Sequence, residues 1–88
     1  MMENIIVTIK YPANNFSCDI EAPTNLDISR LKEDIVETLN HYNWNLSLDS
    51  ASIGLFCDRI DRLLTDEETL ESAGVWNGDY LTIKEVRK

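Results

Sequence analysis

Cations are scarce in this chain. Lysine and arginine together number 8 against 16 aspartates and glutamates, so the net charge is 8 − 16 = −8. Binding to a phosphate backbone or an anionic leaflet needs clustered cations that displace counterions, which makes nucleic acid and direct membrane binding poor expectations. Histidine occurs once, as His41, where it suits the C-terminal end of a helix better than a general base. Cysteine occurs twice, as Cys18 and Cys57, too far apart for a CxxC or a Cys/His metal pattern. Both lie in alternating apolar stretches and are expected to be reduced and buried. The three glycines, Gly54, Gly74 and Gly78, are never adjacent and build no phosphate-cradling loop. Long apolar runs are missing as well: "MMENIIVTIKYP" is interrupted by Glu3, Lys10 and Pro12 before it forms a leader core, and nothing reaches the length of a membrane span. A cytoplasmic setting is the expectation.

What is present is periodic. Eighty-eight residues suit a single domain, residues 1–88, burying about 60–65% of its unfolded surface. "IIVTIK" sets Ile5, Val7 and Ile9 against Ile6, Thr8 and Lys10, and "FSCDIEA" sets Phe16, Cys18 and Ile20 against Ser17, Asp19 and Glu21, the period of half-buried strands. Between them "YPANN" offers Pro12 for a turn and Asn14 and Asn15 for positive φ. After Pro23 the period changes. Ile28, Leu31, Ile35, Leu39 and Tyr42 form one helical stripe, with Asp27 expected as its side-chain N-cap and Leu26 stapled onto Leu31. "WNLSLDSAS" alternates at Trp44, Leu46 and Leu48, as a short strand or an extended loop over the core. "IGLFC" reads as a strand, "DRIDR" as a polar turn, and "LL" as a brief extended pair. In "TDEETLESAGV" Thr65 and Glu68 fit a capping box for a helical turn that Gly74 ends. The last strand sets Leu81 and Ile83 against Tyr80, Thr82, Lys84 and Val86.

A hairpin, one long helix, then "LLTDEETLESAGVWNGDYLTIK" resembles the ubiquitin-like β-grasp fold, along nearly the whole chain. The expected class is α+β: a mixed four- to five-stranded sheet packed on one long α-helix, with a short helical turn before the last strand. Residues 40–52 and the turn from Arg59 to Arg62 look longer than in ubiquitin. Within that superfamily, "VTIKYP", "FSCDIEAPTNLDISRLKEDIVETL" and "IGLF" resemble the bacterial YukD/EsaB group, small ubiquitin-like proteins associated with type VII secretion. The resemblance implies a noncovalent accessory of the WXG100 secretion system whose partner is a protein, such as a cytosolic domain of the membrane complex. Members of the fold that are conjugated or carry sulfur end in Gly-Gly, which an activating enzyme threads through a narrow channel. The sequence read here ends in "EVRK", so a covalent modifier or sulfur carrier is the disfavoured alternative. The charge of −8 leaves room for a third reading, an acidic inhibitor or antitoxin-like binder.

Enzymatic chemistry has little to stand on. Serines 17, 29, 47, 50, 52 and 72 have no GxSxG elbow or visible base partner. Asp66, Glu67, Glu68 and Glu71 form the densest carboxylate run, without the glycine and alternating oxygens of an EF-hand loop, and read as a solvated helix start. No catalytic residue, cofactor or metal is expected. Binding residues are sought instead on the sheet face opposite the helix, where alternation leaves Ile6, Phe56, Tyr80 and Lys84 facing water. By the resemblance, Phe56 falls near the apolar surface position that ubiquitin uses for most of its binding, whereas Lys84 stands where ubiquitin is apolar. Partners that read ubiquitin itself are not expected to bind. Trp76, a large aromatic in a polar turn, is the remaining candidate; exposed Trp often anchors an interface, and its structural alternative is packing over Pro12 or the helical turn.

Overall fold

The computed structural model describes residues 3–41 and 49–86, without the side chain of Asn14. Its elements are β1 (Asn4–Tyr11), β2 (Phe16–Pro23), α1 (Ile28–His41), β3 (Ile53–Cys57), β4 (Arg62–Leu63), α2 (Leu70–Ala73) and β5 (Tyr80–Glu85). Short 3-10 turns precede β2 and β3, at Pro12–Asn14 and Ser50–Ser52. The strands form one five-stranded sheet in the order β2-β1-β5-β3-β4. β1 runs parallel to β5, and the other neighbouring pairs are antiparallel. This is the ubiquitin-like β-grasp arrangement expected from the sequence, with five strands.

The hairpin closes as its residues dictate. Pro12 opens the turn, and Asn15 takes the left-handed conformation at φ 53° and donates its amide to the Pro12 carbonyl. Period-two alternation then seals one face of β1, with Val7 and Ile9 fully buried. Helix α1 lays Ile28, Leu31, Ile35, Val36 and Leu39 on that face, against Leu55, Cys57, Leu81 and Ile83 from the central strands. Truncating one of these leucines or isoleucines to alanine costs about 2–5 kcal/mol, because the void left behind collapses only in part. Cys57 is buried as expected, but Cys18, on the edge strand β2, is only half-buried. Burial, and then the neighbouring Asp19 carboxylate, push its thiol pKa up.

Two helix starts differ from the sequence reading. The first amides of α1, of Ile28 and Ser29, donate to the carbonyls of Glu68 and Asp66, so backbone from a remote turn takes the role expected of the Asp27 side chain. Asp27 contributes its own carbonyl to the Leu31 amide and a bridge to Thr69. The Thr65/Glu68 pair is also real but closes a turn, with the Thr65 amide donating to Glu68 Oε2 at 2.7 Å. The capping box of α2 lies four residues further on, between Thr69 and Ser72, and Gly74 ends that helix at φ 82°. Leu26 is partly buried against the core that holds Leu31, and both line one small cavity. The expectations for Tyr42, Trp44, Leu46 and Leu48 lie outside the described residues.

Candidate functional site on the outer sheet face

The face of the sheet away from α1 carries the alternate residues of each strand. β1 contributes Ile6, Thr8 and Lys10, and β5 contributes Tyr80, Thr82 and Lys84; the register sets Thr8 beside Tyr80 and Lys10 beside Thr82. β3 contributes Gly54 and Phe56, with Phe56 opposite Thr82 on one side and Leu63 of β4 on the other, and Asp58 follows directly in the turn after the strand. Four of the residues singled out by sequence therefore share one face, but they do not form one apolar patch.

A hydrogen-bonded polar strip crosses the face. Thr8 Oγ1 donates to Asp19 at 2.6 Å. Lys10 Nζ pairs with Asp58 Oδ2 at 2.6 Å while standing 5.0 Å over the Tyr80 ring. Thr82 Oγ1 donates to the other oxygen of Asp58 at 3.0 Å. Thr82 is consequently buried, where alternation alone expected it to face water. The Lys10 hydrogen bond is the main cause holding the Asp58 carboxyl below its ordinary pKa, against burial that acts to raise it.

The strip divides the apolar surface into two lobes. In one, Ile6 and Tyr80 are about half exposed on adjacent strands. In the other, Phe56 is half-buried beneath the Lys84 ammonium, 4.2 Å from its ring centre, and exposed Leu63 lies beside it. Leu63 was missed from the sequence. "LL" shows that one of the two leucines faces outward, but only the pairing of Phe56 with Leu63 says which. Leu63 reaches across Gly54, where an added Cβ would lie 3.0 Å from Leu63 Cδ2 and 3.4 Å from Val86 Cγ1.

Trp76 lies apart from both lobes, in the turn before β5, and is the most exposed large apolar residue described, at 64%. Its indole packs on Arg59, whose guanidinium carbon sits 3.8 Å from the ring centre, and it lines a groove together with Glu71 and Gly74 of the helical turn. Arg59 in turn donates from Nε and Nη2 to Asp79, and from Nη2 to the Gly74 carbonyl. Burial alone would raise the Asp79 carboxyl, but the Arg59 bonds and the Trp76 amide outweigh it and hold its pKa below the usual carboxylate range. Arg59 and Asp79 carry no sequence signal for this pairing, since the loops that hold them meet only in the fold.

The acidic run has structural work. Asp66 pairs with Lys32 at 2.6 Å, and Glu68 takes both terminal nitrogens of Arg62, at 2.6 and 3.0 Å. Those bonds to Arg62, with the Thr65 amide, lower the Glu68 pKa to about 2. Among the described residues no three His, Cys, Asp or Glu side chains converge as metal ligands, and no helix is long and apolar enough to cross a membrane.

Comparison with solved structures returns ubiquitin-like domains. The ubiquitin of Caldiarchaeum subterraneum superposes with a TM-score of 0.76 at 20% identity, covering 98% of this chain and 98% of that one. The ubiquitin-like domain of Arabidopsis thaliana protein At2g32350 gives 0.75 at 20%, covering 98% and 81%. That of tubulin-binding cofactor B gives 0.73 at 22%, covering 98% and 93%. At such identities the likeness speaks for the fold alone. No curated protein matches the chain. The family model described as "WXG100 protein secretion system (Wss), protein YukD" matches residues 4–83.

Proposed function

The chain belongs to the YukD family, and from that premise we propose that it is a non-catalytic, noncovalent accessory of the WXG100 secretion system. It docks through its outer sheet face on a cytosolic domain of the membrane complex. The observation that carries this reading is the family match over residues 4–83. The face supports it: two apolar lobes, Ile6/Tyr80 and Phe56/Leu63, lie on the same face as the Lys10–Asp58 ion pair, with Lys84 stacked on Phe56. Apolar anchors around ordered polar groups are what a protein interface uses for affinity and register respectively. Phe56 beneath Lys84 offers a partner both an aromatic edge and a cation.

The test is capture of secretion-complex components by tagged protein from the native cell, with partners identified by mass spectrometry. The wild type is expected to recover a membrane-complex component and Phe56→Asp to lose it. Recovery that is identical in Phe56→Asp would remove the outer face from the mechanism. Heavier covalent conjugates or a C-terminal thiocarboxylate, read by intact mass, would overturn the noncovalent reading itself.

A further inference from the structure

The turn carrying Trp76 combines high exposure with several contacts that tie it to its surroundings. Its indole rests on Arg59, the Arg59 guanidinium is fixed on Asp79, and Asp79 accepts the Trp76 amide at 2.7 Å. Asn77 next to it receives the Ile6 amide on its side-chain oxygen at 2.8 Å, which ties the turn to β1. An exposed side chain ordinarily loses rotamer freedom when a partner covers it, at about 0.5–1.5 kcal/mol. The stacking on Arg59 restricts the Trp76 ring before a partner arrives, so part of that cost is absent.

Beside it lies a groove of about 380 Å³ at the end of the sheet, lined by Ile5, Val75 and Trp76 together with Glu3, Glu71 and Asn77. The charges nearby are unevenly matched. Arg59 is neutralised by Asp79, while Glu3 and Glu71 are exposed and form no ion pair among the described residues. The groove therefore sets apolar Ile5, Val75 and Trp76 beside two carboxylates without an ion pair among the described residues. A phosphate-bearing or acidic ligand would be repelled. A purely apolar segment would cover both carboxylates without giving them a partner, which is costly. A cation on an aliphatic stem answers both features, since the methylenes lie on the indole and its apolar neighbours while the charged head reaches a carboxylate.

We propose that the groove beside Trp76 is a docking socket for an extended segment of a partner protein carrying lysine or arginine between aliphatic residues. The proposal rests on the reading that the protein acts by noncovalent binding, but it uses a surface separate from the two lobes of the outer face.

The test is a nuclear magnetic resonance titration of isotopically labelled protein with the blocked peptide acetyl-Gly-Leu-Lys-Leu-Arg-Gly-amide, with the same peptide carrying glutamate at both charged positions as control. The cationic peptide should move the Trp76 indole N–H and the amides of Glu71, Val75 and Asn77, and the acidic peptide should not. Glu3→Gln combined with Glu71→Gln should weaken binding roughly fivefold or more, and raising salt from about 50 to about 300 mM should weaken it in the wild type. Trp76→Ala should also weaken it, and retention of the remaining amide spectrum shows that each variant is folded. Absence of shifts, shifts spread over the acidic surface without preference for the groove, or undiminished binding by the double glutamine variant would overturn the socket. Phe56→Asp should leave the titration unchanged, so failure of the outer face and failure of the groove are read separately.

Discussion

Lys32 reaches from the middle of α1 to Asp66, with Nζ 2.6 Å from the carboxylate, and donates to the Ile53 carbonyl at 3.2 Å. One buried ammonium thus joins the helix, the entry to β3 and the acidic turn before α2. The helix and the acidic turn also share the backbone bonds that start the helix, from Ile28 and Ser29 to Glu68 and Asp66.

Lys32→Met keeps the apolar stem and deletes the charge, leaving the Ile53 carbonyl without its side-chain donor. We expect a loss of about 1–2 kcal/mol, read as a lower urea midpoint at unchanged slope. The loss is modest because Asp66 is half exposed and regains water. An unchanged midpoint would mean that the ammonium contributes nothing net.

Acid should weaken the fold through Glu68. Its folded pKa, about 2, lies below the ordinary 4.5, so its contribution is complete above 4.5 and is lost as pH falls toward 2. Asp58 and Asp79 are shifted in the same direction. The stability gap between wild type and Glu68→Gln should be widest at about pH 6.5 and reduced to roughly a quarter of that at about pH 2.5, closing only as pH falls through the folded pKa. Urea midpoints at both values check this, and a gap independent of pH would refute the assignment.

Asp79 and Trp76 belong to one cluster but should respond differently. Asp79→Ala removes a buried acceptor from the Trp76 amide and from Arg59, which is exposed and keeps the Gly74 carbonyl, and is expected to cost about 1–2 kcal/mol. Trp76→Ala removes an exposed ring and its stacking on Arg59, at about 0.5–1 kcal/mol. Thermal unfolding of the pair tests the order. If Trp76→Ala proved the more damaging, the indole would be a packing element and not an exposed anchor.

Gly54 bears on the second lobe. Alanine there meets Leu63 Cδ2 at 3.0 Å, but that is the end of an exposed side chain that can swing away, so Gly54→Ala should change stability by less than about 1 kcal/mol. Valine adds atoms that also crowd Val86, and a loss of about 1–3 kcal/mol is expected. If the outer face docks the secretion complex, Gly54→Ala should weaken capture by displacing Leu63. Capture equal to wild type, with a displaced Leu63 methyl resonance, would exclude that lobe from the interface.

Much of the fold is legible along the chain because it depends on local periodicity. Alternation in "IIVTIK" and "FSCDIEA" places Val7 and Ile9 inward and Ile6 and Asp19 outward, whatever the strands pair with. Three- and four-residue spacing fixes the buried stripe of α1, and Asn15 and Gly74 mark the positive-φ turns they occupy. Pairing across the chain decided the rest. Whether an outward residue is wet depends on its neighbours on adjacent strands: Thr82 is buried because Asp58 reaches it, Phe56 is half covered because Lys84 lies over it, and Leu63 faces outward through its register with Phe56. The cap of α1 came from carbonyls nearly forty residues away, because amides take the acceptor that folding brings nearest, and sequence adjacency to Asp27 gave no advantage. The sequence determined the faces of each element. Only the tertiary structure, by bringing Arg59 to Asp79 and Trp76, decided which exposed side chains are held against a neighbour, because those contacts join loops that meet only in the fold.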